Sequence, residues 1–172
     1  MPKATTLQRV ETISAENLYT LSITHQKKKT RIYMQLHIPH VTTRHFPMTK
    51  PLLELYVPSI FRSICYNDDK LPFHKEVART ELGHLFEHIL LEYLCIIKLE
   101  SGLDTATYEG VTDWNWIRDP KGTFRITIHM IEDEVILFTE ALTRTITLMN
   151  IILTKDKAIQ SPLPIPAGTT RH

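Results

Sequence analysis

The chain has two cysteines in 172 residues, Cys65 and Cys95. Both lie in apolar helical patterns and read as buried, reduced thiols, which excludes a disulfide framework and fits a cytoplasmic protein. Net charge is also lacking, since lysine and arginine exceed aspartate and glutamate by one. Duplex nucleic acid asks for a clear basic excess, so no nucleic-acid partner is expected. No stretch approaches the roughly 18 uninterrupted apolar residues of a membrane span. The polar start "MPKATTLQRVETIS" has no apolar core of a secretory signal, so neither membrane insertion nor secretion is expected.

What remains is a globular composition, with 42% apolar and 23% charged residues. The length suits one domain with a real core. Nine histidines are many for such a chain and are the one compositional hint of chemistry.

"NLYTLSIT" (17–24) and "TRIYMQLHI" (30–38) alternate in polarity and predict two strands, with "HQKKK" as a solvated hairpin tip. A proline-punctuated loop follows, then a helix over 51–66 that Pro58 kinks or splits. A long amphipathic helix is predicted from 73 to 99, ended by "SGLD". "TATYEGVTDW" and "GTFRITIHMI" read as two further strands joined by "RDPKG", and a last helix starts near Glu132–Glu134. The order β-β-α-α-β-β-α implies an α+β two-layer domain, its mixed or antiparallel sheet covered by helices on one face. Residues 1–160 form that domain, and 161–172, with three prolines, reads as a flexible tail. The oligomeric state is left open, a homo-oligomer included.

Within the long helix stands "ELGHLFEHILLEYLC" (81–95). His84 and His88 are four apart and share a helical face, so their imidazoles can chelate one divalent ion, most often zinc. Glu87 lies on the adjacent edge of the same turn, placed to take a proton from water. This is the H-x-x-E-H order, with two ligands and one carboxylate base. The plainer reading is a solvent-facing pair of polar residues, or core histidines bonded to carbonyls, though an unpartnered buried imidazole pair would be costly. A zinc site needs a third protein ligand. Glu132, Asp133 and Glu134 sit where the last strand meets the last helix, and Glu132 leads because its apolar neighbours carry the junction inward. Glu92, two turns below His84, suits a supporting contact better than ligation. His129 should face away from Ile128 and is better read as a surface histidine.

Taken with Pro58, Cys65, Gly122 and the acids at 132–133, the H-x-x-E-H-x-x-x-E helix and the hairpin after it resemble the N-terminal domain of cyanophycin synthetase. The resemblance spans about 51–153. It implies a zinc peptidase centre of the kind some members use to nick their polymer, and the same helix motif is similar to that of pitrilysin-type metallopeptidases. The family's ATP-grasp and ligase domains are absent from these 172 residues. Its Gly-Arg-Thr-Arg stretch is replaced by "DTATYEG", which points to a different substrate preference.

The expectation is a zinc-dependent hydrolase with one Zn2+ per chain on His84, His88 and Glu132, and Glu87 as base. Its substrate would be a peptide or an aspartate–arginine polymer. Tyr108 and Arg125 are the candidates for stabilising an oxyanion. The alternative is a non-catalytic module that binds polymer or peptide or docks to a partner. A lyase or isomerase is the third class, because S-ribosylhomocysteine lyase also carries H-x-x-E-H with a cysteine as third ligand. Cys95 is too far down the helix to serve there, and Cys65 stays open.

Overall fold

The computed structural model describes residues 10–65, 71–102 and 105–160, with side chains to residue 155. The described residues begin with three strands: β1 (Val10–Ala15), β2 (Tyr19–Gln26) and β3 (Lys29–Leu36). Alternation sets their orientation. Tyr19, Leu21 and Ile23 on β2 and Ile32, Met34 and Leu36 on β3 are buried, whereas Arg31 and Tyr33 are exposed. A one-residue slip would turn that whole set to water. Gln26 pairs with Lys29, which leaves Lys27 and Lys28 as the hairpin tip.

β1 is a strand that the sequence reading did not include, because "VETISA" shows little apolar alternation. It pairs antiparallel with β2 through a turn in which Glu16 (φ 45°) and Asn17 (φ 61°) both adopt left-handed backbone. Two consecutive positive φ angles are the mark of a type I′ turn, whose twist matches that of the flanking strands.

β4 (Glu109–Asp113) and β5 (Thr123–His129) complete the sheet in the order β1-β2-β3-β5-β4. Every pairing is antiparallel, so the sheet is antiparallel rather than mixed, and the domain is α+β. Phe124, Ile126 and Ile128 continue the buried face onto β5, while Arg125 and His129 lie on the exposed one.

Among the described residues four helices follow from the remaining apolar patterns: α1 (Thr49–Tyr56), α2 (Phe73–Glu76), α3 (Leu82–Glu100) and α4 (Val135–Gln160). Pro58 splits the first helical segment, opening a separate 3-10 turn over Pro58–Arg62. The helix expected over 73–99 is broken. Glu81 is extended (φ −69°, ψ 146°), and Thr42 bridges to it. The Leu82 N–H donates to the Val41 carbonyl at 2.8 Å and the Thr43 N–H to that of Thr80 at 2.9 Å. The first bond satisfies one of the N–H groups that a helix start leaves orphaned, and the second ties Thr80, just before the helix, to the same segment. The break frees α2 to fold back over the first turns of α3.

The stretch Glu132–Lys155 contains an 18-residue window with a mean hydropathy of 1.4 and is long and apolar enough to cross a membrane by composition alone. Here Phe138, Ala141, Leu142, Thr145, Leu148, Met149 and Ile152 form a buried stripe of helical period, and α4 packs with it against α3. Its other side carries Thr139, Thr143 and Thr147, each donating its hydroxyl to the carbonyl four residues back. Approach of α3 to the sheet depends on Gly83. A Cβ there would lie 2.3 Å from the Phe124 ring. The proline-rich segment 161–172 and residue 66, the expected end of the first helix, lie outside the described residues.

Candidate metal centre

The first turns of α3 are buried almost all round, with Leu85, Phe86, Glu87, His88 and Ile89 all inaccessible or nearly so. That burial fixes the chemistry of the H-x-x-E-H residues. Desolvation lowers the His84 pKa, and it pushes His88 down to about 3, with the neighbouring His84 adding to the effect. Both imidazoles are therefore neutral at neutral pH, the form in which histidine ligates.

The two rings point their Nε2 atoms at one another, 3.1 Å apart. A third donor joins them from the loop after Pro58–Arg62: the Cys65 Sγ lies 3.3 Å from the same His84 nitrogen. The donor atoms of Cys65, His84 and His88 all lie within 4.8 Å of one another, a group that could hold a metal ion. The neighbours hold the rings in place. The Thr80 hydroxyl meets His84 Nδ1 at 2.7 Å, which leaves Nε2 turned toward the other donors, the outer-sphere arrangement typical of ligating histidines. Phe73 stacks on His88 with centroids 4.1 Å apart and planes at 22°. The break before α3 puts both Thr80 and Phe73 there.

Glu87 is 5% exposed, and burial raises its pKa to about 7, against the lowering effect of a hydrogen bond from the Thr112 hydroxyl. Gly110 makes room for it, since a Cβ at that position would lie 2.8 Å from Glu87 Oε1. A cleft of about 820 Å³ opens over these groups, lined among others by Cys65, Glu76, His84, Glu87, His88 and Tyr108.

The other expected residues are elsewhere. Glu132 and Asp133 are exposed in a 3-10 turn and do not line the cleft. Met130, 6% exposed, is the residue that turns inward at this junction, so the chain has already swung outward by Glu132. Cys65 stands where Glu132 was expected. Glu134 is held by Lys98 and by the Tyr108 hydroxyl at 2.9 Å. Glu92 accepts a long bond of 3.5 Å from Ser63. Arg125 lies on the outer sheet face in an ion pair with Asp119 at 2.7 Å, away from the cleft, so of the two oxyanion candidates only Tyr108 lines it. His129 is exposed at the cleft rim.

Of the residues brought together here, the sequence reads Cys65 as a buried thiol and leaves its ligation open only under the lyase alternative, and it does not single out Glu76. Glu76 shares a helical face with Phe73 and Val77, an acid within an apolar stripe, and that pattern was the available signal.

No protein-family model matches the chain, and no curated protein or solved structure matches it.

Proposed function

We propose that the protein is a zinc-dependent hydrolase acting on peptide or peptide-like bonds, as the resemblance to cyanophycin synthetase N-terminal domains and pitrilysin-type peptidases implies. The observation that carries this reading is the convergence of Cys65, His84 and His88 beside a buried carboxylate, Glu87, within an open cleft. Two imidazoles and a thiolate favour zinc over hard cations, which prefer oxygen donors, and three protein ligands are the number found in catalytic sites. Bound there, zinc supplies Lewis acidity, polarising a carbonyl and acidifying water.

The protein groups divide the remaining work. Glu87, a buried carboxylate beside the converging donors, takes a proton from water and returns it to the departing amine. Thr112 fixes the rotamer of that carboxylate. Thr80 and Phe73 hold the two imidazoles in place. A peptide substrate is favoured by β4, an edge strand that among the described residues pairs only with β5, and whose residues Glu109–Thr112 form one wall of the cleft. An extended chain can add to such an edge by main-chain hydrogen bonds.

The donor set also favours a second reading. Cysteine as third ligand beside H-x-x-E-H is the combination of S-ribosylhomocysteine lyase, so lyase or isomerase chemistry on a small substrate competes with hydrolysis. Zinc-loaded protein and its Glu87→Gln variant, incubated with a broad peptide library and with aspartate–arginine polymer, separate the readings. Hydrolysis gives new amino termini that depend on Glu87. No new termini across the library would retire the peptidase reading and leave the lyase reading or a binding module.

A further inference from the structure

Glu76 ends α2 on the face it shares with Phe73 and Val77, both buried. It lines the cleft that holds His84 and His88. Its side chain is an anomaly there: the residue is 7% exposed, yet Oε1 is buried without a hydrogen-bond partner. No lysine, arginine or histidine among the described residues forms an ion pair with it. A carboxylate oxygen removed from water costs free energy until a donor reaches it. Arg79, one turn further along, also lines the cleft but is exposed and lies beyond ion-pair distance. Glu76 stands near enough for its charge to act on the His84 imidazole. It is nonetheless outside the group of converging ligand atoms. Glu76 is thus part of the cleft wall beside the converging donors, with its Oε1 buried and lacking a donor.

We propose that Glu76 is a recognition subsite for a cationic group of the substrate, seated next to the reacting bond. The shared chemistry is an organic cation with several N–H donors. Its source is either the ammonium of a free amino terminus or the guanidinium or ammonium of an arginine or lysine side chain. Such a donor supplies both the missing hydrogen bond and the opposite charge, a pairing stronger than a neutral one. The proposal rests on the hydrolase reading, and it narrows the substrate to peptides carrying a cation beside the cleaved bond.

The test measures binding with turnover removed. Zinc-loaded Glu87→Gln protein is titrated calorimetrically with three peptides of one length: free amino terminus, acetylated neutral, and acetylated with one arginine. At least one cationic peptide is expected to bind about tenfold more tightly than the neutral one, and the tighter of the two identifies the source. Adding Glu76→Gln should erase the difference while zinc content and thermal midpoint are kept. Equal binding of all three, no binding, or a preference that survives Glu76→Gln overturns the proposal. Loss of zinc with Glu76→Gln overturns it too, since Glu76 would then serve the ion. If Glu76→Gln does not fold, Glu76→Asp must still lower the preference by withdrawing the carboxylate, and an unchanged preference is equally fatal. Cleavage without Glu76-dependent preference would leave the hydrolase standing and remove the subsite. Glu76-dependent binding with no cleavage by the wild type would do the reverse.

Discussion

Thr112, on the edge strand β4, donates its hydroxyl hydrogen to Oε2 of Glu87 on α3, joining sheet and histidine helix across the floor of the cleft. The bond favours the ionised carboxylate, yet burial outweighs it and holds the Glu87 pKa at about 7, above its ordinary 4.5.

The sign of the pH effect follows for metal-free protein. Between pH 4.5 and 7 the folded chain keeps a proton on Glu87 that the unfolded chain releases. Its favourable contribution is complete below that window and lost as pH rises through it, by roughly 3 kcal/mol for a shift of this size. His88 runs the opposite way, its contribution being lost as pH falls from 6.5 toward about 3. Glu87→Gln removes only the first effect. Urea unfolding of chelator-treated wild type and variant should show the variant gaining relative stability from pH 4.5 to pH 8. A difference that does not change with pH would show that Glu87 is not held protonated.

Metal retention should depend on Cys65 and be indifferent to Glu132. Cys65→Ala, His84→Ala and His88→Ala remove converging donors and should each abolish stoichiometric zinc in elemental analysis. Glu132→Gln should leave it intact, because Glu132 is exposed away from the cleft. Thr80→Val keeps all three donors but releases His84 Nδ1, and a loss of about 10- to 100-fold in zinc affinity is expected from such an outer contact. Competition with a chromogenic chelator measures it, and an unchanged affinity would mean that packing alone orients the ring.

Much of this arrangement was legible from periodicity. Alternation located β2, β3 and β5, since each buries one face, and i, i+4 spacing put His84 and His88 together. The edge strand β1 was hidden because only part of a polar segment is buried when a strand pairs on one side. The break at 77–81 was hidden because apolar residues on both sides of it keep helical spacing. What breaks the helix is hydrogen bonding from Val41 and Thr43, some forty residues away in sequence. The third donor of the converging group was not legible for the same reason. Cys65 and Glu132 were both near apolar turns, and only the path of the chain decides which arrives.

Gly83 is where the histidine helix rests on the sheet, and Gly83→Ala sets two effects against each other. Alanine gains about 1 kcal/mol in helix propensity over glycine. Against that, its Cβ would lie 2.3 Å from the Phe124 ring, overpacking that typically costs 1–3 kcal/mol and here involves a fully buried ring. Net destabilisation is expected by chemical denaturation. Phe124→Leu in the same chain should recover part of it by vacating the contact. Absence of any recovery would place the cost elsewhere.

Gly110 offers a different test, because the group it protects is flexible. A Cβ there would lie 2.8 Å from Glu87 Oε1, 3.1 Å from Glu87 Cγ and 3.1 Å from Ile128 Cδ1. The carboxylate can yield by changing rotamer, so Gly110→Ala should cost little stability, within about 1–2 kcal/mol. It should also keep its zinc, since none of the three converging donors is touched. The displaced carboxylate would lose its Thr112 bond and its position over the cleft floor. Whatever turnover Glu87 supports should therefore fall in Gly110→Ala, by one to two orders of magnitude if proton transfer is its role. The decisive comparison is the double variant. In a Glu87→Gln background the alanine has no base left to displace, so it should lower activity no further. If the two losses multiply instead, Gly110 acts on the cleft by a route independent of Glu87, such as the edge along which a substrate strand would lie.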